Sequence, residues 1–203
     1  MTKCFVCNSN STETILDLGN SPVANNLELD ITKSQNSKKY PLNLILCKSK
    51  CTHVQIGKIV DQKEIFNDYY YMPSISKTLT DHLQSIPIDI NQRFKIKNDS
   101  FIVDIGSNDG TFLESAANYS KKILGIDPAK NLSDIANKKG IKTINNFFSS
   151  DLSNAIKNDY GYADFIISTN TFAHTPEVND FVKGLKELIS DEELFGDVMN
   201  KIS

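Results

Sequence analysis

From residue 100 onward the chain alternates between short apolar runs and longer amphipathic ones. Phe101-Ile102-Val103-Asp104-Ile105 is a β-branched run and predicts a strand. The spacing then predicts a helix over Thr111–Tyr119, a strand over Lys122–Asp127, a helix over Asn131–Lys139 and a short strand over Lys142–Ile144. A helix over Asp151–Lys157, a strand over Ala163–Thr169 and a helix over Glu177–Ile189 complete the series. Strands alternating with helices in this way predict an α/β fold with a doubly wound parallel sheet. Upstream the pattern changes. Leu79, Leu83, Ile86 and Ile90 recur at near-helical spacing from Ser76, and Pro87 is expected to interrupt or end that helix. Residues 1–60 hold only short apolar runs, Ile15–Leu18, Leu42–Leu46 and Val54–Ile59, among turn-rich polar stretches. Three segments follow: a small module over 1–60, a helical connector with a Tyr-rich stretch over 61–99, and an α/β domain over 100–203.

A module as short as the first cannot bury much core and needs a staple. The four cysteines, Cys4, Cys7, Cys47 and Cys51, all lie in it. In a reducing compartment such close pairs read as metal ligands before disulfides. Four thiolates brought together make a closed tetrahedral zinc site, structural rather than catalytic. The second pair is one residue wider than the first, so His53 is a substitute ligand should the wider loop misplace Cys47.

A net charge of −3 over 203 residues gives no general pull toward nucleic acid or anionic membrane. Lys48, Lys50 and Lys58 flank the second cysteine pair without forming a basic-aromatic stripe, which argues against a nucleic-acid-binding ribbon. No apolar run approaches the roughly 20 residues that span a bilayer. Met1-Thr2-Lys3-Cys4 opens no apolar signal segment, and a cytoplasmic location is expected.

The first predicted strand of the α/β domain enters Gly106-Ser107-Asn108-Asp109-Gly110 and leaves into a helix. Strand, tight glycine loop and helix N-terminus together let backbone approach a nucleotide-like ligand. The loop lacks the third glycine of the dinucleotide fingerprint and has no basic residue, while Asp104 and Asp109 are acidic. Acid here disfavours phosphate and suits a cationic amine or sulfonium. The next strand ends in Gly125-Ile126-Asp127-Pro128, where an acid is placed for both hydroxyls of a ribose. These features favour S-adenosylmethionine over a nicotinamide cofactor.

Several strings extend the picture in order along the chain. Cys4-x-x-Cys7 precedes Leu16-Asp17-Leu18-Gly19-Asn20-Ser21-Pro22-Val23-Ala24-Asn25, and Cys51-Thr52-His53-Val54-Gln55 follows. Tyr69-x-Tyr71-x-x-Ser74-x-Ser76, Asp104-Ile105-Gly106-Ser107-Asn108-Asp109-Gly110 and Asn170-Thr171-Phe172-Ala173-His174-Thr175-Pro176 come after them. In these strings the chain resembles the zinc-bearing C-methyltransferases that act on nucleotide-linked 4-keto deoxysugars. The resemblance implies a class I methyltransferase sheet of Rossmann-like type behind a zinc-ribbon-like domain. It implies that Gly106, Asn108, Gly110 and Asp127 bind the cofactor, beside the acidic Asp104, and that Asn170 and Ala173 flank the donor methyl. It puts an aromatic, Phe147 or Phe148, over adenine. His174, Tyr69 and Tyr71 fall on the substrate side.

The residues after Ile189 are acidic and polar where the family continues with an apolar fifth strand and a C-terminal domain. The sheet is therefore expected to be incomplete and the chain inactive alone. The alternatives are a non-catalytic S-adenosylmethionine-binding module and one half of a split enzyme that needs a partner chain.

Overall fold

The computed structural model of the protein describes residues 2–24, 28–66, 69 and 71–190. The acidic stretch 191–203 and Asn25 lie outside the described residues, so the expectation that no fifth strand follows falls outside them too. The chain divides into two compact units, Met1–Phe66 with Pro176–Asn179 and Asn67–Thr175 with Asp180–Ser203.

In the first unit three antiparallel strands, β1 (Thr12–Pro22), β2 (Lys39–Cys47) and β3 (Val54–Ile56), pair in that order. Register shifts between Thr14 and Leu16 and between Asp17 and Asn20 break the alternation of β1. At the second, Gly19 takes a φ of +75°, and Asp17 accepts its N–H at 2.8 Å. Ile15, Leu16, Leu18, Leu42, Val54 and Ile56 stay exposed. The buried apolar side chains described in this unit are Cys4, Ile45 and Cys47, so two of the three are cysteines. Short helices α1 (Ile31–Gln35) and α2 (Gln62–Phe66) complete it.

The second unit holds a parallel sheet in the order β6-β5-β4-β7: β4 (Phe101–Ile105), β5 (Lys122–Ile126), β6 (Thr143–Ile144) and β7 (Phe165–Ile167). Helices α3 (Lys77–Phe94), α4 (Thr111–Ala116), α5 (Lys130–Lys138), α6 (Ser150–Tyr160) and α7 (Val178–Leu188) accompany it. Every residue of β4 is buried. Its period-two alternation splits the core. Phe101, Val103 and Ile105 join Ile156, Phe181, Leu185 and Leu188 of α6 and α7. Ile102 joins Leu83, Ile86 and Ile90 of α3, Phe112, Leu113 and Ala116 of α4, and Ala136 of α5. Burying each such side chain contributes about 1.5–3 kcal/mol, so the central strand anchors helices on both faces.

The expected elements are present with shifted ends. Helix α4 stops at Ala116 rather than Tyr119, where Asn118 turns its amide back to the Ser115 carbonyl at 3.1 Å. β7 contracts to three residues, while Ala163 forms a parallel bridge with Ile189 just after α7. The expectation that Pro87 ends its helix is overturned, because α3 runs through it for 18 residues. Pro87 lacks the N–H that would reach the Leu83 carbonyl four residues earlier, and its ring crowds that turn. Here the Ser115 hydroxyl, from α4, donates to the Gln84 carbonyl at 2.9 Å. Burial of Leu83, Ile86, Pro87 and Ile90 supplies the packing that outweighs the lost hydrogen bond. Ser115→Ala should therefore lower the unfolding free energy by about 1 kcal/mol, read from the urea midpoint. An unchanged midpoint would show that the Gln84 carbonyl does not need this partner.

Candidate functional site

In the first unit, the Cys4–Asn8 turn and the Cys47–His53 turn bring four thiols together. Asn8 N–H donates to the Cys4 carbonyl at 2.9 Å with Asn8 at a φ of +57°, which closes the first knuckle. Cys47 N–H donates to the His53 carbonyl at 2.8 Å, and Thr52 at a φ of +50° absorbs the extra residue of the second loop. The Sγ atoms lie within 4.8 Å of one another. Three separations are 3.6 Å (Cys4–Cys51), 3.6 Å (Cys7–Cys47) and 3.3 Å (Cys7–Cys51). A zinc–sulfur bond of about 2.3 Å makes the edge of a tetrahedron about 3.8 Å, so the donor set fits that ion. Cys47 completes the cluster, and His53 contributes its backbone instead of its ring.

The backbone N–H of Ser9 brings the Cys7 thiol down to about 7, whereas burial pushes Cys47 up to about 12. Without a cation the buried sulfur keeps its proton, and a divalent ion would displace it. Gln55 was not singled out from the sequence. Its side chain accepts from Phe5 N–H at 2.8 Å and donates to the Lys3 carbonyl at 3.0 Å, clamping the backbone on either side of Cys4. An inward polar residue on β3, beside the second knuckle, was the available signal. Purified protein should hold about one equivalent of zinc, and Gln55→Ala should weaken it about 10–100-fold in chelator competition. Substoichiometric zinc in a folded protein would refute the metal site.

In the second unit the sheet order places β4 between β5 and β7, with connections leaving β4 and β7 on opposite faces. The crevice at the carboxyl ends of such strands is where open α/β sheets bind ligands. The loop after β4 lies there, and its geometry is over-determined. Gly106 takes a φ of +80°, and a Cβ on it would lie 2.0 Å from Thr171 Oγ1. That contact brings the Asn170–His174 segment against the loop. Gly110 takes a φ of +82° and a Cβ there would meet Ala136 and Ile141 at 3.3 Å, so the helix can pack closely. Asn108 holds the left-handed region at a φ of +51°.

Asp127, at the tip of β5, stitches the loop to the next helix. Its Oδ2 accepts from Asn108 N–H and its Oδ1 from Ala129 N–H, both at 2.8 Å. Each oxygen keeps a second lone pair for a hydroxyl. Burial raises its pKa against the pull of those two N–H groups.

Asp104 is buried, and its Oδ1 has no hydrogen-bond partner among the described residues. Burial first, then the charge of Asp127, pushes its carboxyl up to about 8. Asp109 differs from expectation. It is fully buried and its charge is met from within the protein: Thr111 Oγ1 donates to it at 2.7 Å, and Lys139 Nζ lies 3.7 Å away. Burial raises its pKa, but Ser74, Thr111 and Lys139 more than offset that and hold it below the ordinary carboxylate value. Asp109 therefore shapes the loop through Thr111, while its Oδ2 lies 3.7 Å from Lys139 Nζ and has no hydrogen-bond partner among the described residues. Lys139, thirty residues on, gave no sequence signal.

His174 ends a 3-10 turn over Phe172–His174, with its N–H on the Thr171 carbonyl at 2.9 Å. It and Ala173 are exposed, and so is Asn170, which takes a φ of +56°. Tyr71 is 52% exposed, with its ring centroid 6.3 Å from that of Tyr69. The Phe148 ring meets Phe181 edge-on at 5.0 Å and packs on the core below α7.

Asp104 sets a sign for pH dependence. A folded value of about 8, above the unfolded one near 4, means the folded state binds more protons between them. Its contribution to stability is complete below the unfolded value and is lost as pH rises toward 8. Asp104→Asn should flatten the fall in unfolding free energy between about pH 5 and pH 8. An identical slope in wild type and variant would count against the buried, protonated carboxyl.

Comparison with known proteins agrees with this geometry. Residues 4–66 match a family described as "Putative zinc binding domain", and residues 103–192 match one described as "Methyltransferase domain". The C-methyltransferase NovU of Streptomyces niveus is 25% identical over 193 residues, covering 95% of this chain and 46% of that protein. The chain thus spans about half the length of this curated relative. A methyltransferase structure from Anabaena variabilis aligns at 18% identity and a TM-score of 0.45 over 57% of this chain and 49% of that one. Magnesium protoporphyrin IX methyltransferase of Synechocystis aligns at 15% and 0.43 over 54% of each. Residues 103–192, in the second unit, are thus similar to a methyltransferase domain, and the first unit, with its four cysteines together, is similar to a zinc-binding domain.

Proposed function

We propose that the protein takes part in S-adenosylmethionine-dependent C-methylation of a nucleotide-linked 4-keto deoxysugar. The observation that carries the reading is the Asp127-stitched glycine loop at the carboxyl ends of β4 and β5. The free lone pairs of Asp127 accept the ribose hydroxyls. The backbone of Gly106, Asn108 and Gly110 lies along the cofactor, and the unpartnered Asp104 oxygen faces its cationic end. Asn170 and Ala173 flank the methyl. Phe148 is committed to Phe181, so the reading does not use it for adenine.

The sugar rests on the resemblance of the tyrosine and histidine strings. When bound, the cofactor supplies a methyl already activated on a sulfonium. This chain's residues must then hold the sugar and manage one proton. His174 takes the proton from the carbon beside the ketone, or holds the sugar for its removal. Tyr69 or Tyr71 donates a phenol hydrogen bond to the oxygen that gains charge. The carbon's electron pair forms the new bond to the methyl as the bond to sulfur breaks.

Calorimetric titration with S-adenosylhomocysteine tests the cofactor part. One-site binding is expected, weakened about tenfold or more by Asp127→Ala, with no heat from a nicotinamide dinucleotide. No binding, or preference for the dinucleotide, would overturn it. For the substrate, incubation with nucleotide-linked 4-keto sugars should give a product heavier by one methylene, lost in His174→Ala. Methylation of some other acceptor class by the same protein would replace the sugar reading.

A further inference from the structure

Tyr69 and Tyr71 are fastened by two side chains, one from the loop and one from the helix beside it. The Asn131 amide, in the first turn of α5, donates to the Tyr69 carbonyl at 2.9 Å and accepts its N–H at 3.4 Å. It pairs with Tyr69 as a neighbouring strand would. Asn108 Nδ2 donates to the Tyr71 carbonyl at 2.9 Å. Ser74 stands beside the Asp109 carboxylate and lowers its pKa. The two anchors meet at one group, because Asp127 holds both Asn108 N–H and the Ala129 N–H that precedes Asn131. The backbone is held while the Tyr71 ring stays exposed. Packing alone would bury the ring; fixing the backbone and leaving the phenol outside is what a presented side chain requires.

We propose that Asn131 is a positioning residue which, with Asn108, fastens Tyr69 and Tyr71 to the cofactor loop and couples their placement to the ligand on that loop. The inference rests on the reading of the loop as the cofactor site and of the tyrosines as facing the substrate. A primary amide suits the task because it offers one donor and one acceptor side by side.

Hydrogen exchange of the full chain, read by mass spectrometry on peptides covering 69–76, tests it. In wild type, saturating S-adenosylhomocysteine should slow exchange there. Asn131→Ala should speed it about fivefold or more without ligand, with β4 and α3 unchanged. The variant should still bind S-adenosylhomocysteine within about threefold of wild type, yet show no slowing over 69–76. A purely structural loss would not separate binding from protection in this way. Asn131→Asp should match the alanine variant at neutral pH and return toward wild type as pH falls, because a protonated carboxyl offers the same donor and acceptor. Unchanged exchange in Asn131→Ala, or ligand protection that survives in it, overturns the anchor. If wild type binds no S-adenosylhomocysteine, the cofactor reading and the coupling fall together, while the ligand-free comparison still decides whether Asn131 holds Tyr69.

Discussion

The second unit depends on one carboxylate. Asp127 receives the N–H of Asn108 from the β4–α4 loop and that of Ala129 from the start of α5. Without it, two adjacent loops at the carboxyl edge of the sheet would carry unpaired donors in a buried place, at about 1–3 kcal/mol each. Asn108, held by that bond in the left-handed region, can turn its own amide toward Tyr71. The same carboxylate therefore shapes the glycine loop, holds the N–H of Ala129 just before α5, and orients the residues that hold the tyrosines. Its burial is tolerated because both oxygens are partnered, whereas Asp104, buried without a partner for Oδ1, keeps its proton up to about 8.

The first unit has a different foundation. Its sheet leaves most large apolar side chains exposed, and the buried ones described are mainly cysteines. Hydrophobic burial on that scale does not hold some sixty residues together. The cysteine cluster stands where a core would be, with Gln55 bracing the backbone around Cys4. A closed thiolate site here is part of the folding free energy of the unit.

Much of this was legible along the chain because it is local. The β-branched run of β4, the glycines at positive φ and the spacing of the cysteine pairs each follow from a few neighbouring residues. Long-range partners were not legible. Pro87 reads as a helix end, and only packing of Leu83, Ile86 and Ile90 with Ser115 from another helix lets α3 continue. Asp109 reads as a charge offered to a ligand, and only Lys139 and Thr111 show it to be answered inside. Phe148 reads either as a cover for adenine or as a core residue, and its contact with Phe181 places it on the core.

By itself, the sequence determined the alternation of strands and helices, the position of the loop after the first of them and the spacing of two close cysteine pairs in the first unit. Those properties depend on periodicity, backbone permissiveness and donor chemistry, which a residue carries with it. The tertiary structure alone decided which loop acids find partners inside the protein, which histidine atom joins the cysteine turn, and which side chains hold the tyrosines. Most of those depend on a partner tens of residues away, as with Asp109 and Lys139 or Tyr69 and Asn131, and a buried charge or amide acquires its role only when that partner is brought close.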